Sequence, residues 1–130
     1  MTGNLLQAVA VLRVSDFEAA EAFYCDKLGF TKNRAYRPDE NRIDPTYAGL
    51  SRDGASLHVS SFTGDGALGG VAVINVRDVD GLHGELMSRG VQIDLEPTDQ
   101  TWGDREMYVK DADGNSLRFC QLSNASMSAG

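Results

Sequence analysis

The chain has 130 residues and a formal net charge of −7. That length is one domain's worth, large enough to bury a core without disulfides. The acidic balance repels nucleic acid and anionic membrane surfaces and attracts a cationic small molecule, and no window reaches the apolar run of about 18 residues that a spanning helix requires. The first residues carry neither a basic cluster nor a long apolar run, and Cys25 and Cys120 lack metal-site spacing and scaffold density. A cytoplasmic protein is therefore expected.

In chain order, the first element is an alternating strand with Ala10, Leu12 and Val14 on one face and Val9, Val11 and Arg13 on the other. A helix near Asp16 to Leu28 follows. Ser15 with Glu18 three residues on has the form of a capping box, Phe17, Ala20, Tyr24 and Leu28 form an apolar stripe, and Gly29 suits a left-handed terminator. Three short strands come next: Phe30 to Tyr36, Thr46 to Arg52 and Ser56 to Phe62. Asp53-Gly54 joins the last two and suits the positive φ of a tight hairpin. The stretch "GDGALGG", Gly64 to Gly70, precedes a strand rather than opening a helix, so it reads as a linker and not as a phosphate cradle.

The same order then repeats. Val71 to Val76 alternates like the first strand; Asp78 caps a helix near Val79 to Arg89 with Val79, Leu82, His83 and Leu86 on its apolar stripe; Gly90 ends it. Three strands follow at Gln92 to Glu96, Arg105 to Lys110 and Ser116 to Leu122. The turn Asp113-Gly114 stands 60 residues after Asp53-Gly54, and Ser56-Leu57-His58 is answered by Ser116-Leu117-Arg118. The prediction is one α+β domain over residues 1–130, built from two βαβββ modules at about 5–63 and 70–123. They form a curved mixed sheet around a cleft, with the helices on the outer face. A Ser/Ala/Gly tail at 124–130 is expected to be disordered.

"LRVSDFEAAEAFYCDKLGF", "YAGLSRDGASLHVS" and "WGDREMYVKDADGNSLRF" together resemble the vicinal-oxygen-chelate superfamily, which includes glyoxalases, extradiol dioxygenases, fosfomycin-resistance enzymes and bleomycin-binding proteins. The resemblance spans about residues 5–123 and is strongest to the bleomycin-resistance branch, which carries Trp-Gly-Arg-Glu before its last hairpin. Here Asp104 stands between Gly103 and Arg105. The resemblance implies a homodimer in which the sheets of two chains complete each other's clefts. It also implies that metal ligands, where present, come from the positions occupied here by Val9, His58, Val71 and Arg118. Two valines cannot donate, and a guanidinium repels a divalent cation, so a site without metal, cofactor or catalytic residue is expected.

The function so implied is non-catalytic sequestration of a bleomycin-like or other flat cationic small molecule. The competing class is a metal-dependent lyase, isomerase or extradiol dioxygenase acting on a small oxygen-rich substrate, with a ligand set such as His58, Glu106 and Gln7. Six residues are the candidate ligand contacts. Trp102, the only tryptophan, sits in the polar loop "DQTWGD" and is either a stacking platform or an interface anchor. Tyr36, Tyr47 and Phe62 flank loops, where aromatics either bind ligands or pin the loop. His58 is either a ligand contact or a half-buried polar residue on a strand, and Arg118 either reaches an anionic group or pairs internally, with Glu106 as the candidate partner. His83 is expected to be structural, and Cys25 and Cys120 inert.

Overall fold

In the computed structural model, which describes residues 3–123, β1 (Ala10–Arg13) leads into α1 (Phe17–Glu21), β2 (Thr31–Tyr36), β3 (Tyr47–Arg52) and β4 (Ala55–Ser60). The plan repeats with β5 (Val71–Asn75), α2 (Val79–Ser88), β6 (Leu95–Asp99), β7 (Arg105–Lys110) and β8 (Ser116–Gln121). The strands form two four-stranded mixed sheets ordered β1-β4-β3-β2 and β5-β8-β7-β6. In each, the first strand runs parallel to the last and the others antiparallel. The expected tail at 124–130 lies outside the described residues. No helix among the described residues is long and apolar enough to cross a membrane.

Alternation gives each sheet a buried face. Leu12, Leu50 and Val59 pack with Phe17, Tyr24 and Leu28 of the first helical stretch, while Met107, Val109 and Leu117 pack with Val79 and Leu86 of α2. Each such side chain contributes about 1.5–3 kcal/mol when fully removed from water. The same alternation leaves Tyr47, Gly49 and His58 on the opposite face of one sheet and Glu106, Tyr108 and Arg118 on the opposite face of the other.

The first helix departs from its expected form at both ends. Asp16, not Ser15, is the cap: its carboxylate accepts from the Ala19 amide at 3.1 Å. Ser15 instead reaches into the second module, donating from its amide and hydroxyl to Asp113 at 3.0 and 2.7 Å, so the capping box does not form. After Glu21 the helix widens into a π segment, Ala22–Lys27, whose bonds span five residues, as from Leu28 N–H to the Phe23 carbonyl at 3.0 Å. Gly29, at φ +79°, then turns the chain. In α2 the Asp78 cap stands as expected, accepting from the Gly81 amide at 3.0 Å.

Two further expectations are corrected. The sixth strand is Leu95–Asp99 rather than Gln92 to Glu96; it is an edge strand that holds Pro97 and pairs with β7 through a bulge between Leu95 and Thr98. The two Asp-Gly turns also differ. Arg52 pairs with Ala55 across a two-residue turn in which Asp53 takes the positive φ, at 50°, whereas Lys110 pairs with Ser116 across the five residues Asp111–Asn115, with Gly114 at 81°.

The longer loop joins the modules. The Asp111 carboxylate accepts from the Tyr24 hydroxyl and the Asn115 amide nitrogen, both at 2.8 Å, and from the backbone N–H groups of Asp113 and Asn115 at 2.9 Å. Asn115, fully buried, donates to the Arg13 carbonyl at 2.8 Å and accepts from Gly70 N–H at 2.7 Å. Burial first, and the Asp111 charge second, hold the Tyr24 hydroxyl protonated far above its ordinary range. A second link is the Arg52 guanidinium, which meets Glu85 at 2.7 Å and the Leu28 carbonyl at 2.8 Å.

Candidate functional site

On the open face of the second module, β7 carries Glu106 and Tyr108 and β8 carries Arg118 and Cys120, with register pairs Glu106–Cys120 and Tyr108–Arg118. That register corrects the expected ion pair. Arg118 faces Tyr108 directly and Glu106 only diagonally, so the guanidinium lies over the Tyr108 ring, 4.9 Å from its centroid, and Glu106 is held by other donors. The Trp102 indole N–H donates to one Glu106 oxygen at 3.0 Å and the Tyr108 hydroxyl to the other at 2.6 Å. Glu106 is only 6% exposed, and no ion pair among the described residues includes it.

The carboxylate leaves its mark on its neighbours. The hydrogen bond to Glu106 raises the Tyr108 hydroxyl above the ordinary tyrosine range. Burial and then the Glu106 charge push the Cys120 thiol up to about 11, which favours the protonated form at neutral pH. Burial likewise raises Cys25.

Trp102 itself is 61% exposed. Its loop closes through Gly103 N–H to the Gln100 carbonyl at 3.0 Å and Gln100 N–H to the Asp104 carbonyl at 2.8 Å, and Gly103 sits at φ 105°. The extra residue Asp104 is absorbed in that turn, where its carboxylate also accepts from Ser123 N–H at 3.2 Å. A part-buried indole N–H contact on a largely exposed side chain is an arrangement that fixes an aromatic surface in place.

The first module's open face is built differently. Tyr47 pairs with Ser60, and Gly49 with His58. The Tyr47 hydroxyl lies 2.7 Å from His58 Nδ1, so these two candidates form one unit. Tyr36 pairs with Tyr47 across the strands, and its ring stacks on Phe62 with centroids 6.2 Å apart and planes 9° from parallel. The six sequence candidates thus fall into two groups, Tyr36, Tyr47, His58 and Phe62 on module one and Trp102 with Arg118 on module two. Sequence reasoning placed Glu106 as an ion-pair partner of Arg118 and, for the competing enzyme class, as a metal ligand, and did not single out Tyr108; its i, i+2 spacing from Glu106 on one strand was the available signal. His83 has a structural contact, 2.5 Å from Glu96, tying α2 to β6.

Of the positions that the resemblance marks for metal ligands, His58 and Arg118 lie on β4 and β8, Val71 opens β5, and Val9 stands just before β1; the register partners of His58 and Arg118 are Val11 and Val73, which cannot donate either. Among the described residues no three His, Cys, Asp or Glu side chains group so as to hold a metal ion.

A family model described as glyoxalase superfamily protein matches residues 3–126. The chain belongs to the glyoxalase superfamily. Within it, the bleomycin resistance protein of Geobacillus stearothermophilus is 30% identical over 136 residues, covering 90% of this chain and 97% of that protein. The bleomycin resistance determinant encoded on the transposon Tn5 superposes with a TM-score of 0.73 at 25% identity, covering 91% and 98% of the two chains. A bleomycin-binding protein complexed with bleomycin superposes at 0.72, also with 25% identity, covering 92% and 100%.

A cavity of about 1250 Å3 in this superfamily member lies between the first hairpin and α2, lined by Phe30, Leu57, Ile74, Leu82 and Phe119 among others. None of the six candidate residues lines it. Tyr36, Tyr47, His58 and Arg118 stand on open sheet faces, with Phe62 and Trp102 on adjoining loops, and the apolar edge of those faces carries the exposed Val11, Val71 and Val73.

Proposed function

We propose that this protein binds and sequesters a flat, cationic, bleomycin-like small molecule in the cytoplasm, as a homodimer and without changing the ligand chemically. The observation that carries the reading is the Trp102–Glu106–Tyr108 group. The indole is held from behind, so a planar ligand stacks on it with little ordering cost, and the adjacent carboxylate attracts a cation because Arg118 is engaged with Tyr108 instead. The bleomycin resistance and bleomycin-bound relatives support the ligand class. The strip of Val11, Val71 and Val73 supports a second copy, since exposed valines on edge strands call for cover and two facing sheets would turn open faces into a cleft.

Titration with bleomycin, read by the fluorescence of the single tryptophan, tests this. The expected result is saturable binding that Trp102→Ala weakens by roughly 1–3 kcal/mol, about five-fold to a hundred-fold, with thermal unfolding within a few degrees of wild type. No saturable change in the wild-type protein sinks the reading, as does tightly bound stoichiometric metal together with turnover.

A further inference from the structure

Module one leaves two nitrogen groups unspent on its open face. Arg34, Gly49 and His58 stand side by side on β2, β3 and β4, with Gly49 paired to both. Because residue 49 has no side chain, the Arg34 stem and the His58 ring lean over the same spot. A Cβ built there would be 3.6 Å from Arg34 Cγ and 3.6 Å from His58 Nε2. Tyr47 fixes the imidazole from behind through Nδ1, with the two rings 5.3 Å apart at 75°. When the Tyr47 O–H donates to Nδ1, the ring proton resides on Nε2, which then offers an N–H to the open face.

Both groups are free. Among the described residues neither the Arg34 guanidinium nor His58 Nε2 has a hydrogen-bond or ion-pair partner. Other cations of the sheets and helices are taken: Lys32 by Glu21, Arg52 and Arg89 by Glu85, Arg105 by Asp80 and Asp99, Lys110 by Asp94. The matched position in module two is closed, because Tyr108 fills the place of Gly49 and its ring takes the Arg118 guanidinium.

We propose that Arg34, Gly49 and His58 form a subsite for an oxyanion, a carboxylate, phosphate or sulfate group carried by a small molecule. The planar guanidinium supplies two parallel donors and Nε2–H a third, with Gly49 providing the clearance and Tyr47 acting as a positioning residue. The subsite does not depend on the ligand being an antibiotic or on the Trp102 group.

The test is an NMR titration of 15N-labelled protein with sodium benzoate, with neutral benzamide as the control of equal shape. Benzoate is expected to shift the Gly49 amide and the His58 ring saturably, at least about tenfold more tightly than benzamide. Arg34→Gln and Gly49→Val should each abolish that preference, the valine being a good strand former whose Cβ meets only ordinary contacts. Tyr47→Phe should change the His58 ring 15N shifts and weaken benzoate. Inorganic phosphate that competes identifies a general anion pocket; failure to compete identifies an anion borne on an aromatic ligand. Absence of a saturable benzoate shift, equal binding of benzoate and benzamide, or a preference that survives Gly49→Val and Arg34→Gln overturns the proposal. So does loss of benzoate binding in Trp102→Ala, which would place it in module two. Bleomycin binding is read separately, so either idea can fail alone.

Discussion

On β3 and β4, Gly49–His58 lies where β7 and β8 place Tyr108–Arg118, and Tyr47–Ser60 lies where they place Glu106–Cys120. The buried faces of the two modules are alike, apolar and close-packed. Truncating a core side chain costs about 2–5 kcal/mol, which holds that face to one chemistry. The open faces carry no such constraint and have diverged into a glycine-floored face with an unpaired arginine and a buried carboxylate under an indole. The hairpins diverge in the same way: the two-residue turn at Asp53 stays on the surface, while the five-residue loop from Asp111 enters the junction. A duplicated fold thus keeps its backbone plan and varies what the plan leaves uncovered.

The hairpin contrast gives the largest expected effect. Asp111→Ala removes an acceptor of four hydrogen bonds and leaves the buried Tyr24 hydroxyl and the Asn115 backbone N–H unpaired, so urea unfolding should show a loss of about 3–5 kcal/mol. Asp53→Ala, at the matching turn, should cost about 1 kcal/mol, for the strain of a positive φ alone. Equal losses would break the comparison.

Next comes the open face. Glu106→Gln keeps the shape and removes the charge, and should weaken bleomycin about tenfold, near 1.4 kcal/mol; its register counterpart Tyr47→Phe should cost less in the same titration.

Tyr24→Phe should cost about 1 kcal/mol at neutral pH, because Asp111 retains its other donors. It also bears on pH. The Tyr24 and Cys120 ionisations are both raised in the folded protein, so their stabilising contribution is complete below the ordinary values of about 8.5–10 and is lost as pH climbs beyond them. Thermal unfolding of the wild type should therefore decline from about pH 9 upward, and Tyr24→Phe should flatten that decline.

The smallest effect is expected at His58→Ala, whose stability should stay within about 0.5 kcal/mol of wild type, since the ring is half-buried and leans over a glycine. Arg118→Ala should cost slightly more, through the lost stack on Tyr108.

The fold was legible where caps, stripes and stop glycines agree: Asp78, the stripe of α2, Gly29 and Gly90 all stand where the pattern puts them, and β7 has its expected bounds. Legibility failed where the deciding partner is distant. Ser15 was the natural cap by local spacing, yet Asp113 claims it. β6, an edge strand with Pro97 and a bulge, has no clean alternation to read. The site was legible as residue types and not as groupings: Trp102 could be singled out by its loop, but its bond to Glu106 depends on how that loop closes, and the partner of Arg118 on a strand register that composition does not reveal.

The junction has a consequence for the order in which the chain can become itself during synthesis. Ser15 and Asp113 are separated by 98 residues and Asn115 and Arg13 by 102, while Tyr24 waits on an acceptor 87 residues downstream. Contacts this remote in sequence close late and slow folding. On a ribosome, module one can pair all its own strands while its most buried tyrosine still lacks a hydrogen-bond acceptor. Only when the last hairpin emerges does the first module acquire its final bonds, so its N-terminal half stays uncommitted until β7 and β8 have been made.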